Sequence, residues 1–187
     1  FLKEQRVGIL GTAAGIVALC QIDDSSPYIR KATTQLIETQ IASSDPSLDG
    51  GWGISSIRHT PICESTCWCA YALCLAGISV THTALQRALT WIISNQNDDK
   101  GWGGAKGYPS RTYPTALAIR TLSSLNPLSQ TIQPAIQWLK NNQCPDGGWA
   151  EFPRGQSTPI HTAHAILALL DAGVSPTSKV IRDGIKW

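Results

Sequence analysis

The sequence of 187 residues contains no methionine, only two phenylalanines and few charged side chains. Charged residues make up 15% of the chain and apolar residues 42%, against about 25% charged residues in an average domain. This balance excludes an intrinsically disordered chain, which combines high charge with few apolar residues. The net charge of +2 is too small to predict a basic surface for nucleic acid. Because methionine is absent, we expect the chain that begins at Phe1 to be a piece of a longer protein.

Cysteine spacing and hydropathy exclude several further classes of protein. Four of the six cysteines crowd between Cys63 and Cys74, a spacing that does not match a secreted disulfide framework. We interpret them as buried thiols in a reducing compartment and predict a cytoplasmic protein. No signal peptide is visible. The uncharged run from Ser65 to Gln86 is broken at Gly77, so no membrane span is predicted.

The sequence repeats itself, and tryptophan marks the period. Gly-Trp pairs occur at 51–52, 101–102 and 148–149, and a glutamine precedes each pair. A threonine followed by a small residue comes after each pair and begins the next helix. The residues assigned to this structural repeat are Gln40, Trp52, Trp91, Gln96, Trp102, Trp138, Gln143 and Trp149. We therefore predict one repeat domain over 1–187, with repeats at approximately 1–52, 53–102, 103–149 and 150–187.

Each repeat has the pattern of a helical hairpin. The first helices are nearly all apolar and should be buried on most faces; they are predicted at about 12–21, 65–76, 114–125 and 161–172. The second helices are amphipathic; they are predicted at about 26–40, 81–96, 129–143 and 176–187. No segment shows sustained period-two alternation, so the predicted fold class is all-α with no strands.

Residues typical of helix caps occur near these predicted helix ends. Left-handed caps should end three of the first helices, and they are predicted at Gly77, Asn126 and Gly173. Hydroxyl residues should begin the second helices, and they are predicted at Ser26, Thr81, Ser129 and Ser175.

The segment from Arg87 to Trp102 resembles the QW repeat of squalene–hopene and oxidosqualene cyclases, and so does the segment from Ala135 to Trp149. This resemblance implies an α/α-toroid, the fold shared with class II diterpene cyclases and with the β subunits of protein prenyltransferases. It also implies a ring with more hairpins than the four visible here. We therefore expect a protein partner, or the remaining segment of the parent protein, to complete the toroid.

The repeated glutamines and tryptophans have a structural explanation. A glutamine amide at a helix end can bind the backbone of the next loop while a tryptophan ring covers it. Every tryptophan except Trp68 occupies the repeat. We interpret these residues as joints between hairpins rather than as surfaces on which a ligand stacks.

The resemblance to class II cyclases also implies a general acid in an Asp-x-Asp-Asp motif just before the threonine of a first helix. Such an acid must stay protonated among carboxylates until it protonates an alkene or an epoxide. None of the four corresponding segments contains an aspartate, and one contains a single carboxylate, Glu64. Glu64 and His161 are the candidates for a replacement acid, although both also fit as first-turn residues of their helices.

Six residues near the starts of first helices are candidates for ligand binding, and His161 is one of them as well as a candidate acid. The six are Trp68, Tyr108, Arg111, Tyr113, His161 and His164. We predict a non-catalytic module that binds a peptide or an apolar small molecule. One alternative is part of a class II terpene cyclase whose acid lies outside this chain. A second alternative, implied by the prenyltransferase resemblance, is a zinc subunit, for which the nearest ligands are Glu64 with Cys63 or Cys67, and His161. By spacing alone, Cys63 and Cys67 with His59 nearby could also bind zinc. Their spacing fits zinc poorly, so we predict no metal and no cofactor.

Overall fold

The computed structural model describes residues 8–56 and 60–187. These residues form eight α-helices, and an isolated antiparallel bridge joins Gly8 to Ser55. The prediction of an all-α fold is confirmed. In this part of the chain no helix is long and apolar enough to cross a membrane. The helices are α1 Ile9–Ile22, α2 Pro27–Glu38, α3 Cys63–Leu75, α4 Thr83–Ser94, α5 Thr112–Leu125, α6 Ile132–Asn141, α7 Pro159–Asp171 and α8 Lys179–Lys186.

The chain divides into two compact units, one that ends at Ser94 and one that runs from Asn95 to Trp187. The first contains the hairpins α1–α2 and α3–α4, and the second contains α5–α6 and α7–α8. We call the first helix of each hairpin inner and the second helix outer. Within the first unit α1 packs on α3, and within the second unit α5 packs on α7. Each unit is therefore built on a pair of inner helices in contact.

Two inner helices end in the glycine predicted for them. Gly77 and Gly173 have φ angles of 82° and 80°, in the left-handed region that glycine adopts without a steric penalty. After α3, the N–H of Ile78 donates to the carbonyl of Leu73 at 3.0 Å. This bond is part of the Schellman pattern, which satisfies carbonyl groups left open at a helix end.

The prediction of a left-handed cap at Asn126 is wrong. Its φ angle is −146°, which lies outside the left-handed region. Asn126 precedes Pro127, and the proline ring disfavours helical conformations at the residue before it. The helix α5 therefore ends at Leu125, because Pro127 keeps Asn126 out of the helical conformation.

Three outer helices begin two or more residues later than predicted. Thr81, Ser129 and Ser175 lie instead in Ser-x-Thr turns, in which the serine and threonine hydroxyl oxygens are 2.8 Å apart in every copy. Such local hydrogen bonds compete with helix formation. Only the first hairpin keeps its predicted start, with Ser26 as the N-cap and Pro27 as the first helical residue of α2.

The burial predicted for inner helices holds for α3 and α5 and is wrong for α1 and α7. Ten of the fourteen residues of α5 are buried, but only three of the fourteen in α1 are. Ile22 of α1 is 83% exposed, and Leu167 of α7 is 42% exposed. The helix α1 contacts α2 and α3, and α7 contacts α5 and α8; the side that faces away from both neighbours stays in solvent. An apolar pattern on all sides does not reveal which side lacks a neighbour.

Candidate functional site

The repeated glutamine ties each Gly-Trp loop to the next outer helix. The amide of Gln40 donates to the carbonyls of Gly50 and Ala84, both at 2.8 Å. The amides of Gln96 and Gln143 each donate to a carbonyl of their own loop and to one in the next repeat, at 2.8 to 3.1 Å. In all three joints the distant acceptor lies seven residues before the outer-helix tryptophan. In the first and third joints one side chain thus connects the two hairpins of a unit.

The tryptophans of the Gly-Trp pairs lie under these joints. Trp52, Trp102 and Trp149 are fully buried. The backbone N–H of each donates to the hydroxyl of the threonine in the next inner helix, at 2.9 to 3.0 Å. The indole N–H of Trp52 and that of Trp149 donate to the carbonyl four residues before the repeat glutamine, both at 2.8 Å. The loop is therefore bonded to helices on both of its sides.

A second set of tryptophans covers the joints from the outer helices. A Cβ atom at Gly101 would lie 2.8 Å from Cε2 of Trp138, so the ring needs a glycine beneath it. The indole N–H of Trp138 donates to Asp99 at 3.0 Å, and that of Trp187 donates to Asp146 at the same distance. Hydrogen bonds from the backbone N–H of Gly148, the hydroxyl of Ser157 and the indole of Trp187 together lower the pKa of Asp146 below its ordinary value.

In the first joint an ion pair between Arg87 and Asp49 takes the place of the indole–aspartate hydrogen bond. Nε of Arg87 donates to Asp49 at 3.0 Å, and another guanidinium nitrogen donates to the carbonyl of Ile41 at 2.6 Å. The hydrogen bond from Arg87 is the main reason why the pKa of Asp49 is lowered. Trp91 here donates to the carbonyl of Ser47 at 2.9 Å. In the longer first loop the aspartate is thus bound by an arginine, whereas in the other two loops it is bound by an indole.

A half-exposed stripe runs along α3, a helix that is otherwise largely buried. It contains Glu64, Trp68 and Tyr71, which share one face because they are spaced four and three residues apart. The first unit therefore places one candidate acid and one candidate ligand contact a single helical turn apart. The sulfur atoms of Cys63 and Cys67, on the buried side, are 3.9 Å apart.

The corresponding stripes of α5 and α7 form a seam of paired side chains in the second unit. The rings of Tyr113 and His164 meet edge to face, with centroids 4.6 Å apart. Arg120 and Asp171 form an ion pair at 2.7 Å. The two contacts are seven residues apart on each helix and in the same direction, so α5 and α7 run parallel.

A third contact closes the seam at the helix starts. Arg111 precedes α5 and pairs with Glu151 at 3.1 Å. His161 lies in the first turn of α7, where Nδ1 is 2.7 Å from the hydroxyl of the N-cap residue Thr158. Burial lowers the pKa of His161; the charge of Glu151 opposes this shift and that of Arg111 adds to it.

His164 lies one turn further along α7, and its Nδ1 is buried. Burial lowers the pKa of this imidazole too, and the charges of Arg120 and His161 act in the same direction. With pKa values below the usual 6.5 or so of histidine, both rings are neutral near pH 7. The seam therefore holds two ion pairs and two uncharged imidazoles.

The predicted ligand-binding residues fall into three groups. The structure brings Arg111, Tyr113, His161 and His164 together in the α5–α7 seam. Trp68 lies on the stripe of the first unit with Glu64. Tyr108 lies in the loop before α5 and is 66% exposed. The side-chain amide of Asn97 donates to its backbone carbonyl at 2.8 Å.

Three residues of these stripes were not among the predicted site residues: Tyr71, Arg120 and Asp171. Tyr71 and Arg120 each lie five residues after the repeat threonine of their inner helix, and Asp171 lies nine residues after its own. Counting along the helix from that threonine would have placed all three on the accessible face.

The residues that are described do not assemble a metal site. Within 8–56 and 60–187, no three histidine, cysteine, aspartate or glutamate side chains converge. His59, the third ligand considered for zinc, lies outside the described residues. The buried Cys63–Cys67 pair supplies two sulfur atoms, which is fewer than the three or four protein ligands of a zinc site.

Comparison with known proteins identifies the family of this repeat. The family model of the squalene-hopene cyclase C-terminal domain matches residues 59–187. The chain belongs to this family. A segment of 103 residues is 30% identical to the squalene–hopene cyclase of Zymomonas mobilis and covers 54% of this chain and 14% of that enzyme. This member of the squalene-hopene cyclase C-terminal domain family thus spans a small part of the length of its curated relative.

A solved structure shows the same architecture. The protein geranylgeranyltransferase-I of Candida albicans, solved in complex with GGPP, superposes on 93% of this chain with a TM-score of 0.75. The match covers 55% of that chain at 18% sequence identity, so it shows the fold alone. The fold is that of part of an α/α-toroid, as the QW resemblance implied.

Proposed function

We propose that this squalene cyclase-like domain is a non-catalytic module that binds a peptide or an apolar ligand on the half-exposed stripes of its inner helices. In the first unit the contacts would come from Trp68 and Tyr71. In the second unit they would come from Tyr113 and His164 and from the ion pairs Arg111–Glu151 and Arg120–Asp171. Glu64 and His161 would contact ligand without transferring a proton.

The observation that carries the non-catalytic part of this proposal is the lack of aspartate in the four segments that precede the repeat threonines, residues 8–11, 62–65, 111–114 and 158–161. The directions of the pKa shifts agree with it. A class II acid needs a carboxyl group whose pKa is raised, so that it is protonated near neutral pH. In the described residues, every carboxyl pKa that is shifted is lowered, and the groups are Asp45, Asp49, Asp99, Asp146 and Asp183. His161 is no better as an acid, because its lowered pKa leaves it without a proton to donate near pH 7.

Incubation of the full chain with squalene and with geranylgeranyl diphosphate tests the absence of catalysis. We expect no cyclised product by gas chromatography and mass spectrometry. We also expect the chain to bind squalene or members of a displayed library of random heptapeptides. A cyclised product, or binding of neither kind of molecule, would contradict the proposal.

The family match supports a second candidate, in which the chain is part of a class II cyclase whose acid lies elsewhere. The longer gene would then encode an Asp-x-Asp-Asp motif in the same reading frame, which sequencing would reveal. Finding that motif, together with product from the longer protein, would favour the cyclase. A zinc subunit remains the third candidate, and stoichiometric zinc in the purified protein would be required for it.

We also propose that a partner or a further segment of the parent protein covers the exposed side of α1. This side carries Gly11, Gly15, Ala18 and Ile22, which share one face by helical spacing. A Cβ added at either glycine would meet no other atom within 4 Å, so there is room for close approach. Replacement of Ala18 by glutamate should weaken the association if the longer protein or its complex uses this face.

A further inference from the structure

We infer that the ligand of the α5–α7 seam is an extended peptide rather than a hydrocarbon. This inference rests on the proposed function, since it names the ligand of the same site. It uses only the second unit, where the contacts across the seam are defined.

The seam presents two ion pairs that solvent still reaches. The Arg120 side chain is 23% exposed and that of Asp171 is 41% exposed. The values for Arg111 and Glu151 are 27% and 46%. A hydrocarbon laid over these groups would remove their water and offer no hydrogen bond in exchange, which is costly for ionised side chains. A peptide backbone offers both N–H and carbonyl groups along its whole length.

The charge of the seam also selects against a strongly charged ligand. Each guanidinium is balanced by a carboxylate at 2.7 or 3.1 Å, and both imidazoles are neutral near pH 7. A guanidinium has five N–H donors and a carboxylate about four acceptor positions, so a paired arginine and aspartate can still donate and accept. The seam therefore suits an uncharged molecule rich in both kinds of group.

The spacing of the two ion pairs fits an extended chain. Arg111 and Arg120 are nine residues apart, which is about 13 Å along a helix. An extended peptide covers that distance in about four residues. Because alternate side chains of an extended chain share a face, residues i and i+4 would face the ion pairs. Residue i+2 would lie about midway between the ion pairs, at the level of Leu167, which is four residues (about 6 Å) before Asp171 on α7.

The surface next to the ion pairs is apolar. Ile160 and Leu167 of α7 are 59% and 42% exposed and lie two turns apart on the helix. Phe152, in the loop that precedes α7, is 46% exposed. We therefore expect a peptide with polar side chains at i and i+4 and an apolar side chain between them.

Selection of displayed random heptapeptides on the full chain tests this inference. We expect enrichment of peptides with the polar–apolar–polar pattern. The double variant Arg120→Met with Asp171→Leu should weaken their binding about tenfold or more, because bonds to charged groups are lost. The control variant Lys179→Met with Asp183→Leu removes an ion pair on α8, away from the seam, and should change binding less than twofold.

A second double variant, Arg111→Met with Glu151→Leu, keeps the test decisive if the first does not fold as judged by circular dichroism. Squalene binding without peptide binding would overturn the inference and leave the proposed function standing. Binding of neither would overturn both. Peptides that bind the seam variants as tightly as the wild-type chain would also overturn the inference.

Discussion

Two residues hold backbone conformations that other repeats give to glycine. Lys100 and Arg154 have φ angles of 76° and 66°. Counted from the Gly-Trp pair, Lys100 corresponds to Gly147, and Arg154 corresponds to Gly107; both glycines also have positive φ. A residue with a Cβ atom needs about 1 kcal/mol more than glycine to adopt this conformation. Within 8–56 and 60–187, strain of this kind therefore falls on one residue in each of two loops.

Replacement of Arg154 by glycine should raise the free energy of unfolding by about 0.5 kcal/mol, since the relief of strain exceeds the added entropy of the unfolded chain. The matched change Gly107→Ala should lower it by about 1 kcal/mol, because nothing lies within 4 Å of the added Cβ and only the φ angle matters. Urea denaturation of both variants would measure these shifts. A loss of stability in the Arg154 variant would show that its side chain makes a contact worth more than the strain.

The residues of the seam show the limit of sequence analysis at this scale. Tyr113 and His164 were predicted because both stand near helix starts. Helical spacing from the repeat threonine places Arg120 and Asp171 on the accessible face, but it does not predict their ion pair, which joins residues 51 positions apart. Their contact depends on the parallel packing of α5 and α7, which the helix pattern alone does not specify.

At the scale of elements, the recurring feature is the joint around the repeat glutamine, which occurs at Gln40, Gln96 and Gln143. Each has a glutamine amide on two backbone carbonyls, and the second and third joints have a ring over a glycine in addition. The helices themselves could be predicted because their apolar patterns are bounded by strong turn signals. Helix ends were less predictable where proline or a Ser-x-Thr turn overrode the expected cap, as at Asn126 and Ser129.

Replacement of Gln143 by leucine should lower the free energy of unfolding by about 1 to 3 kcal/mol, because the carbonyls of Gly147 and Val180 lose their common donor. The control is Gln137→Leu on the exposed side of α6, where the amide donates to the side chain of Asn141 at 2.7 Å. It should change stability by less than about 0.5 kcal/mol. Equal effects of the two changes in urea denaturation would argue against the joint.

Two glycine-to-alanine changes should have opposite signs. Gly101→Ala brings a Cβ to 2.6 Å from that of Ser110 and 2.8 Å from the Trp138 ring, and we expect a loss of about 1 to 3 kcal/mol. Gly15→Ala lies inside α1, with open space around the added atom, and should gain about 0.5 to 1 kcal/mol. Thermal unfolding of the two variants would check the signs, and a stable Gly101 variant would mean that the ring is not held against the loop.

At the scale of the whole molecule, acid should reduce stability in two separate ranges. The pKa values of His161 and His164 are lowered by folding, so the unfolded chain binds protons first once the pH falls below about 6.5. Stability should therefore fall between about pH 7 and pH 5. The pKa values of Asp49 and Asp146 are also lowered, and the stability they contribute is lost below about pH 4.

Urea midpoints measured across this pH range would separate the two contributions. The double variant His161→Gln with His164→Gln should lose most of the decline between pH 7 and pH 5 and keep the decline below pH 4. An unchanged decline in the upper range would exclude the seam as its source.

The acceptors of the joint glutamines have a consequence for how such chains can vary. In each joint the distant acceptor is a main-chain carbonyl, and the residue that carries it is Ala84, Thr131 or Val180. Because the recognised group is common to every amino acid, the side chain at this position is free to differ. A hairpin could thus be exchanged, duplicated or lost as a block, provided that the incoming one keeps its tryptophan in register.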